Sequence, residues 1–322
     1  MTKLTKDRIR AAVFGAAVGD AVGVPYEFSL RAERKRSPAV DMIGHGTYYQ
    51  PAGTWSDDTS MILCTLDHLD PAMNEHAIMQ AFCAWMRKGD YSPHQECFDI
   101  GGTTGRALRA YERSGDPSAC GQEGERSNGN GSLMRIIPAA LYACAHGLST
   151  EEAVRLSHRL SCLTHANLRC QMGCGIFTCV ALALLARPDK ASVREGLRTA
   201  AAFYAAPAYE KELPHYRRVL SEGFFDLPEA EISGAGYVVA TLESALWCLM
   251  QTDDYRACVL QAVNLGEDTD TTACVAGALA GLLYGYEGIP ADWRRRLTAP
   301  DRIDDVTAHF AAANGVTELL HN

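Results

Sequence analysis

Apolar residues recur at helical spacing along most of this 322-residue chain, and no segment alternates apolar and polar positions as a half-buried strand would. Helices with no sheet to bury their apolar faces must pack on one another, so the fold class read from the sequence is all-α. The first pattern runs from Asp7 to Val24, with Gly15, Ala16 and Gly19 small enough for close helix contact. Pro25 then turns the chain out of the helix as it delivers Glu27. A second helix should start at Asp58 and bury Met61, Ile62 and Leu66. Another should begin after Gly131 and end near Gly147, a C′ glycine, and Ser149-Thr150-Glu151-Glu152 reads as the capping box of the next. Leu168 to Leu185 is apolar nearly all round, the mark of a central buried helix. The pattern continues over Gly234–Met250 and Asp253–Leu265. The last strong helix runs from Thr271 to Tyr284, and Gly277, Gly281 and Gly285 at a spacing of four point to tight packing in a helical core. Three long irregular stretches, Arg31–Gln50, Gly115–Ser127 and Pro207–Ala230, have the length of functional rims.

Composition removes several classes. Hydrophobic residues make up 47% and charged residues 21%, so the chain is not a disordered one. A net charge of −9 argues against nucleic-acid binding, which needs a basic face to neutralise phosphates. The basic runs Arg31–Arg36 and Arg294–Arg296 read as solvated surface. Twelve cysteines form neither a disulfide grid nor paired zinc knuckles, and free thiols in that number point to a reducing compartment. Neither a signal-peptide pattern nor an apolar stretch long enough to span a bilayer is read from the sequence. The expectation is a soluble cytoplasmic protein with no membrane partner.

Chemistry concentrates in two acidic, hydroxyl-bearing clusters, Ser56-Asp57-Asp58-Thr59 and Asp268-Thr269-Asp270-Thr271. Each sits where a loop hands over to an apolar helix. Carboxylates beside hydroxyls offer only hard oxygen ligands, which suit Mg²⁺ or Mn²⁺. Brought together, two such half-sites would hold a pair of divalent cations for metal-assisted hydrolysis. The same residues also serve as acidic N-caps of helices. If the clusters share one site, residues 1–322 form a single domain, and neither an internal repeat nor a linker divides them. Glu27 reads either as a group at a reacting bond or as a solvated carboxylate after the turn. Asp20, near a helix C-terminus, is unfavourable against the helix dipole and should find a tertiary partner, acting as structural support. Ser127–Ser132 offers successive amides unshielded by side chains, as a diphosphate site does, and as an unliganded Gly/Asn turn also does.

Four segments carry a family resemblance. Gly53–Met61 and Gly266–Ala273 resemble the two metal motifs of the ADP-ribosylglycohydrolase family, Gly19–Glu27 its first-helix signature, and Asn128–Arg135 its diphosphate loop. The motifs keep the family's order over most of the chain. The resemblance implies a single compact orthogonal helical domain and a hydrolase that removes ADP-ribose from modified protein side chains. Arginine N-glycosides are the preferred linkage. O-linked serine conjugates, or a small ADP-ribose conjugate, are the alternative. From another class comes an ADP-ribose-binding immunity or regulatory protein that occludes an ADP-ribosyltransferase. By resemblance, Ser56, Asp57 and Asp58 hold one cation with Asp270 reaching across, and Asp268 and Thr271 complete the second with Asp270 bridging. Glu27, Asp57 and Asp268 carry the catalytic expectation. Asp99, Asn128, Gly129, Asn130, Gly131, Ser132 and His165 carry the substrate-binding one, with Asp99 facing the modified arginine. Ser56 stands where the family usually has Thr, and Glu267 where many relatives have Gly, which places an extra charge beside the site or faces it to solvent.

Overall fold

The computed structural model describes residues 3–317, which form fifteen α-helices joined by loops and short 3-10 turns. In chain order these are α1 (Lys6–Gly23), α2 (Arg31–Arg36), α3 (Asp57–His68), α4 (Glu75–Lys88) and α5 (Gly102–Ser114). Next come α6 (Ile137–His146), α7 (Thr150–Cys162), α8 (Leu168–Ala186), α9 (Lys190–Tyr204) and α10 (Leu213–Tyr216). The last five are α11 (Val238–Gln251), α12 (Tyr255–Asn264), α13 (Thr269–Tyr284), α14 (Ala291–Arg296) and α15 (Pro300–Ala313). Local chemistry sets many of the boundaries. Thr5, Ser56, Asn74, Ser149, Asp189 and Asp254 cap helix starts through side-chain oxygens, Ser149 with the expected Glu152 box. Gly89, Gly115 and Gly147 end α4, α5 and α6 in the left-handed conformation.

The antiparallel pair α1 and α13 positions the site. A Cβ at Gly15 would run into the Gly277 carbonyl, and one at Gly281 into that of Ala11. The four-residue glycine spacing therefore brings the two backbones together, and Tyr255 donates its hydroxyl to Gly15 O at 2.6 Å beside them. The same crossing sets the C-terminal end of α1 against the first turn of α13, with Gly23 packed on Asp270 Cα. Thr269 Oγ1 donates to Gly23 O at 2.8 Å and fastens that end.

Several expectations need correction. The turn after Gly131 continues to Arg135 and α6 starts only at Ile137, because the segment bends back before Pro138 sets the first helical turn. Thr271–Tyr284 is not the last strong helix: α15 follows, opened by Pro300, and its Arg302 and Asp304 bind Ser92 O and Arg10. Arg31–Gln50 contains α2, whose Arg31 guanidinium reaches the carbonyls of Leu265, Glu229 and Ile232. The 19-residue helix α8, with mean hydropathy 1.7, is long and apolar enough to cross a membrane, contrary to the sequence reading. Of its apolar window 78% is buried among other helices, which is the central core role its all-round apolarity suggests. All twelve cysteines are free thiols.

Candidate active site

Asp20 places the front acidic cluster. Buried in α1, its carboxylate accepts from Ser56 N at 2.9 Å, from Thr59 N at 3.1 Å and from Thr59 Oγ1 at 2.6 Å. The two amides are orphan donors of the α3 N-terminus, so α1 fixes α3 through one side chain. Ser56 caps α3 and donates Oγ to Asp58 Oδ2 at 3.1 Å, and Thr271 Oγ1 reaches the same oxygen at 3.3 Å. The back cluster is held differently. Asp268 N donates to Gly234 O at 3.0 Å, Asn130 Nδ2 donates to Asp268 Oδ2 at 2.9 Å, and Thr271 N donates to Asp270 Oδ1 at 2.9 Å.

A pattern follows across the three aspartates. Asp58, Asp268 and Asp270 each have one oxygen bound by a protein donor and one buried oxygen, Oδ1, Oδ1 and Oδ2 respectively, with no hydrogen-bond partner among the described residues. Glu27 Oε2 is a fourth. Carboxylate oxygens of Glu27, Asp268 and Asp270 lie within 4.8 Å of one another, as do those of Asp20, Asp58 and Asp270. Buried carboxylate oxygens without donors are costly, and hard divalent cations are the ligands that such convergent oxygens suit. Asp20 belongs to the second group by distance, yet its oxygens are already taken by the α3 amides and Thr59, so it acts as the support expected of it.

Electrostatics agree with that fit. Burial, then the charge of Asp99, pushes the Glu27 carboxyl up to about 9. Burial raises Asp57, Asp58 and Asp270 well above the ordinary value, with the neighbouring carboxylates adding to it. Asp20 is raised to about 6 by burial, although its hydrogen bonds pull the other way. These groups repel one another and favour protonation until positive charge arrives among them.

Above the acidic floor opens a cleft of about 270 Å³, lined by Glu27, Asp57, Asp99, Asn130, His165 and Asp268 among others. Glu27 enters from a 3-10 turn containing Pro25, and Thr47 Oγ1 holds its carbonyl at 2.7 Å. Asp99 adopts φ 61, a left-handed conformation unusual for Asp, and receives the Tyr48 hydroxyl at 2.5 Å. Opposite runs the 128–132 loop. The amides of Gly131, Ser132 and Leu133 donate to no acceptor among the described residues, as an anion-binding turn requires. His165 sits behind Gly131, where a Cβ would come within 2.9 Å of its Cε1.

Not every expected residue reaches the cleft. Asn128 and Ser132 point inward: Asn128 Nδ2 donates to Glu125 O, and Ser132 Oγ receives Ser161 Oγ and the Cys174 thiol, so both brace the loop from behind. Glu267 is exposed with φ 64, and its backbone pairs with Phe28 N and Ser29 O. The glycine common there in the family thus answers a backbone demand, and the Glu267 side chain faces solvent. Tyr48, Phe28 and Thr104 were absent from the sequence reading. Tyr48 and Thr104 carry no local signature, and the left-handed φ 62 of Phe28 appears only once the chain is folded.

Comparison with known proteins agrees with the geometry. The family profile for ADP-ribosylglycohydrolase matches residues 1–319. The ADP-ribosylarginine hydrolase Tri1 of Pseudomonas putida (strain GB-1) is 33% identical over 97% of this chain and 80% of its own length. The ADP-ribosyl-[dinitrogen reductase] glycohydrolase of Rhodospirillum rubrum is 29% identical over 90% of this chain and 90% of its own. A solved structure described as an ADP-ribosylglycohydrolase-related protein complex superposes with a TM-score of 0.79 at 29% identity, covering 96% of this chain and 98% of that one. With an all-α fold, a carboxylate-floored cleft and a profile match over nearly its full length, the chain belongs to the ADP-ribosylglycohydrolase family and is a hydrolase that removes ADP-ribose.

Proposed function

We propose that this hydrolase uses two divalent cations, Mg²⁺ or Mn²⁺, to release ADP-ribose from arginine side chains of modified proteins, with an ADP-ribosyltransferase as its counterpart. The observation that carries the reading is a pair of carboxylate trios that share Asp270, Glu27–Asp268–Asp270 and Asp20–Asp58–Asp270, in which Glu27, Asp58, Asp268 and Asp270 each keep a buried oxygen without a hydrogen-bond partner among the described residues. Ser56, Asp57 and Asp58, with Asp270 reaching across, would hold one cation, and Asp268, Asp270 and Thr271 the other. Divalent cations held there would supply Lewis-acid polarisation to oxygens of the bound sugar. Glu27 Oε2 has no hydrogen-bond partner among the described residues, so it is the group free to hold or release a proton at the glycosidic bond. Asp57 and Asp268 line the same cleft as Glu27 and carry the rest of the catalytic expectation. The unsatisfied amides of the 131–133 turn are the donors for a diphosphate.

Arginine linkage is favoured by Asp99, a carboxylate on the cleft wall held by Tyr48 and suited to receive a guanidinium through paired hydrogen bonds. Incubation with arginine-, serine- and cysteine-linked ADP-ribose in the presence of Mg²⁺ tests this. Turnover of the arginine conjugate well above the others is expected. Cleavage of serine conjugates with arginine conjugates left intact would overturn the linkage.

A further inference from the structure

Arg135 is fully buried, yet it joins no ion pair among the described residues. Its Nε and Nη1 have no hydrogen-bond partner, its guanidinium lies over the Phe82 ring at 4.7 Å, and only Nη2 is engaged, with Leu160 O at 3.1 Å and Thr164 Oγ1 at 2.8 Å. An unpaired buried cation is expensive and calls for a reason. Thr164 Oγ1 in turn lies 2.8 Å from His165 Nδ1.

Counting protons along this line fixes its direction. An arginine only donates, so Thr164 Oγ1 accepts from Nη2. The hydroxyl keeps one proton of its own, Thr164 is fully buried, and among the described residues the one acceptor it has is His165 Nδ1. If Nδ1 carried the proton instead, the threonine hydroxyl would be a buried donor with nowhere to point. Nδ1 is therefore the acceptor, and the single proton of a neutral imidazole sits on Nε2. Burial, then the Arg135 charge, drives His165 down to about 3, so the neutral ring is the relevant one. His165 lines the cleft, and its Nε2 has no hydrogen bond to the described residues and lies beside the Gly131 turn.

We infer that Arg135 and Thr164 are positioning residues that lock His165 as its Nε2–H tautomer, so that the cleft receives a neutral imidazole N–H aimed at an anionic oxygen of the bound ligand. The inference rests on the reading that this cleft takes ADP-ribose, whose diphosphate is the anion concerned. It also explains why an arginine stands unpaired there. A carboxylate partner would cancel a charge that adds to burial in disfavouring a second proton on the imidazole, and that charge lies behind a turn built to receive an anion.

The test uses the Mg²⁺-loaded protein with ¹⁵N-labelled histidine. Long-range ¹H–¹⁵N spectra report the His165 tautomer, and calorimetry with ADP-ribose reports affinity. Parent and Thr164→Ser should both show Nε2–H and bind alike. Thr164→Val, which keeps the shape and removes the hydroxyl, should lose the pure Nε2–H signature and bind ADP-ribose roughly tenfold more weakly, the scale of one hydrogen bond to a charged group. A parent with the proton on Nδ1 would overturn the inference. So would a Thr164→Val protein with an unchanged tautomer, or one with a changed tautomer and undiminished affinity. The tautomer is read without turnover, so a protein that failed to cleave any conjugate would defeat the proposed function and leave this spectrum to be judged on its own.

Discussion

The two acidic clusters supply matching oxygens to one site, yet they are held by opposite means. The front cluster at α3 hangs on a single buried charge: Asp20 takes two amides and a hydroxyl from Ser56 and Thr59. The back cluster at α13 hangs on neutral contacts, the Gly234 carbonyl, the Asn130 amide and the Thr269 hydroxyl on Gly23 O. The front is therefore sensitive to protonation of its support, while the back depends on how closely α1 and the 234–236 segment approach. A Cβ at Gly23 or Gly236 would strike Asp270 or Asp268. One half is positioned by charge and the other by backbone fit.

The largest effect should come where the halves meet. Asp270 contributes to both oxygen groups, so Asp270→Ala should remove turnover by ~10³-fold or more, several kcal/mol of lost transition-state stabilisation, while circular dichroism stays helical. Residual activity within tenfold of the parent would mean that the clusters do not share a cation. Glu27→Gln comes next: kcat should fall by ~10²-fold with ADP-ribose affinity retained, the scale of a lost proton-transfer group. Equal rates in parent and variant would return Glu27 to the status of a bystander.

A direct contrast of the supports is more modest. Asp20→Asn removes a charge but little volume and should weaken divalent-cation affinity about 10- to 100-fold, as loss of an orienting group behind metal ligands does. Asn130→Ala removes one neutral hydrogen bond to Asp268 and should cost less, on the order of tenfold. If the back support proved the more costly of the two, the division into charge-held and fit-held halves would fail.

The smallest effect concerns stability. Raised folded-state values mean that the folded, metal-free protein binds more protons than the unfolded chain. Stability from this cluster is thus fully present at low pH and falls as pH rises from the ordinary Asp value of 3.8 through about 6 for Asp20 and about 9 for Glu27. The Tm of metal-free protein should decline across that interval, and saturating Mg²⁺ should flatten the slope by supplying the missing charge. A Tm that climbs with pH without metal would contradict the sign.

The scaffold is legible where apolar residues recur at helical spacing, on one face or all round. That holds for α1, α3, α7, α8, α12 and α13, and Asp20 is legible too, because its unfavourable place near a helix end demands a partner. What depends on distant chain segments is not legible. Asp99 shares no local pattern with Tyr48, 51 residues away, that would announce their hydrogen bond. The inward turn of Asn128 and Ser132 is set by α7, α8 and the 125–127 turn, because a run of polar and glycine residues does not encode which side chains face the ligand. α4, α9 and α15 do carry local start signals, the Asn74 and Asp189 caps and Pro300 in the first turn.

The central claim is that the two clusters form one cation site that drives hydrolysis. The most direct measurement titrates chelated, metal-free protein with Mn²⁺ while following both bound metal and release of ADP-ribose from an arginine conjugate. The account predicts no turnover without metal, two cations bound per chain at saturation, and activity that rises with their occupancy. Full turnover in excess chelator, with no metal left on the protein, would contradict it.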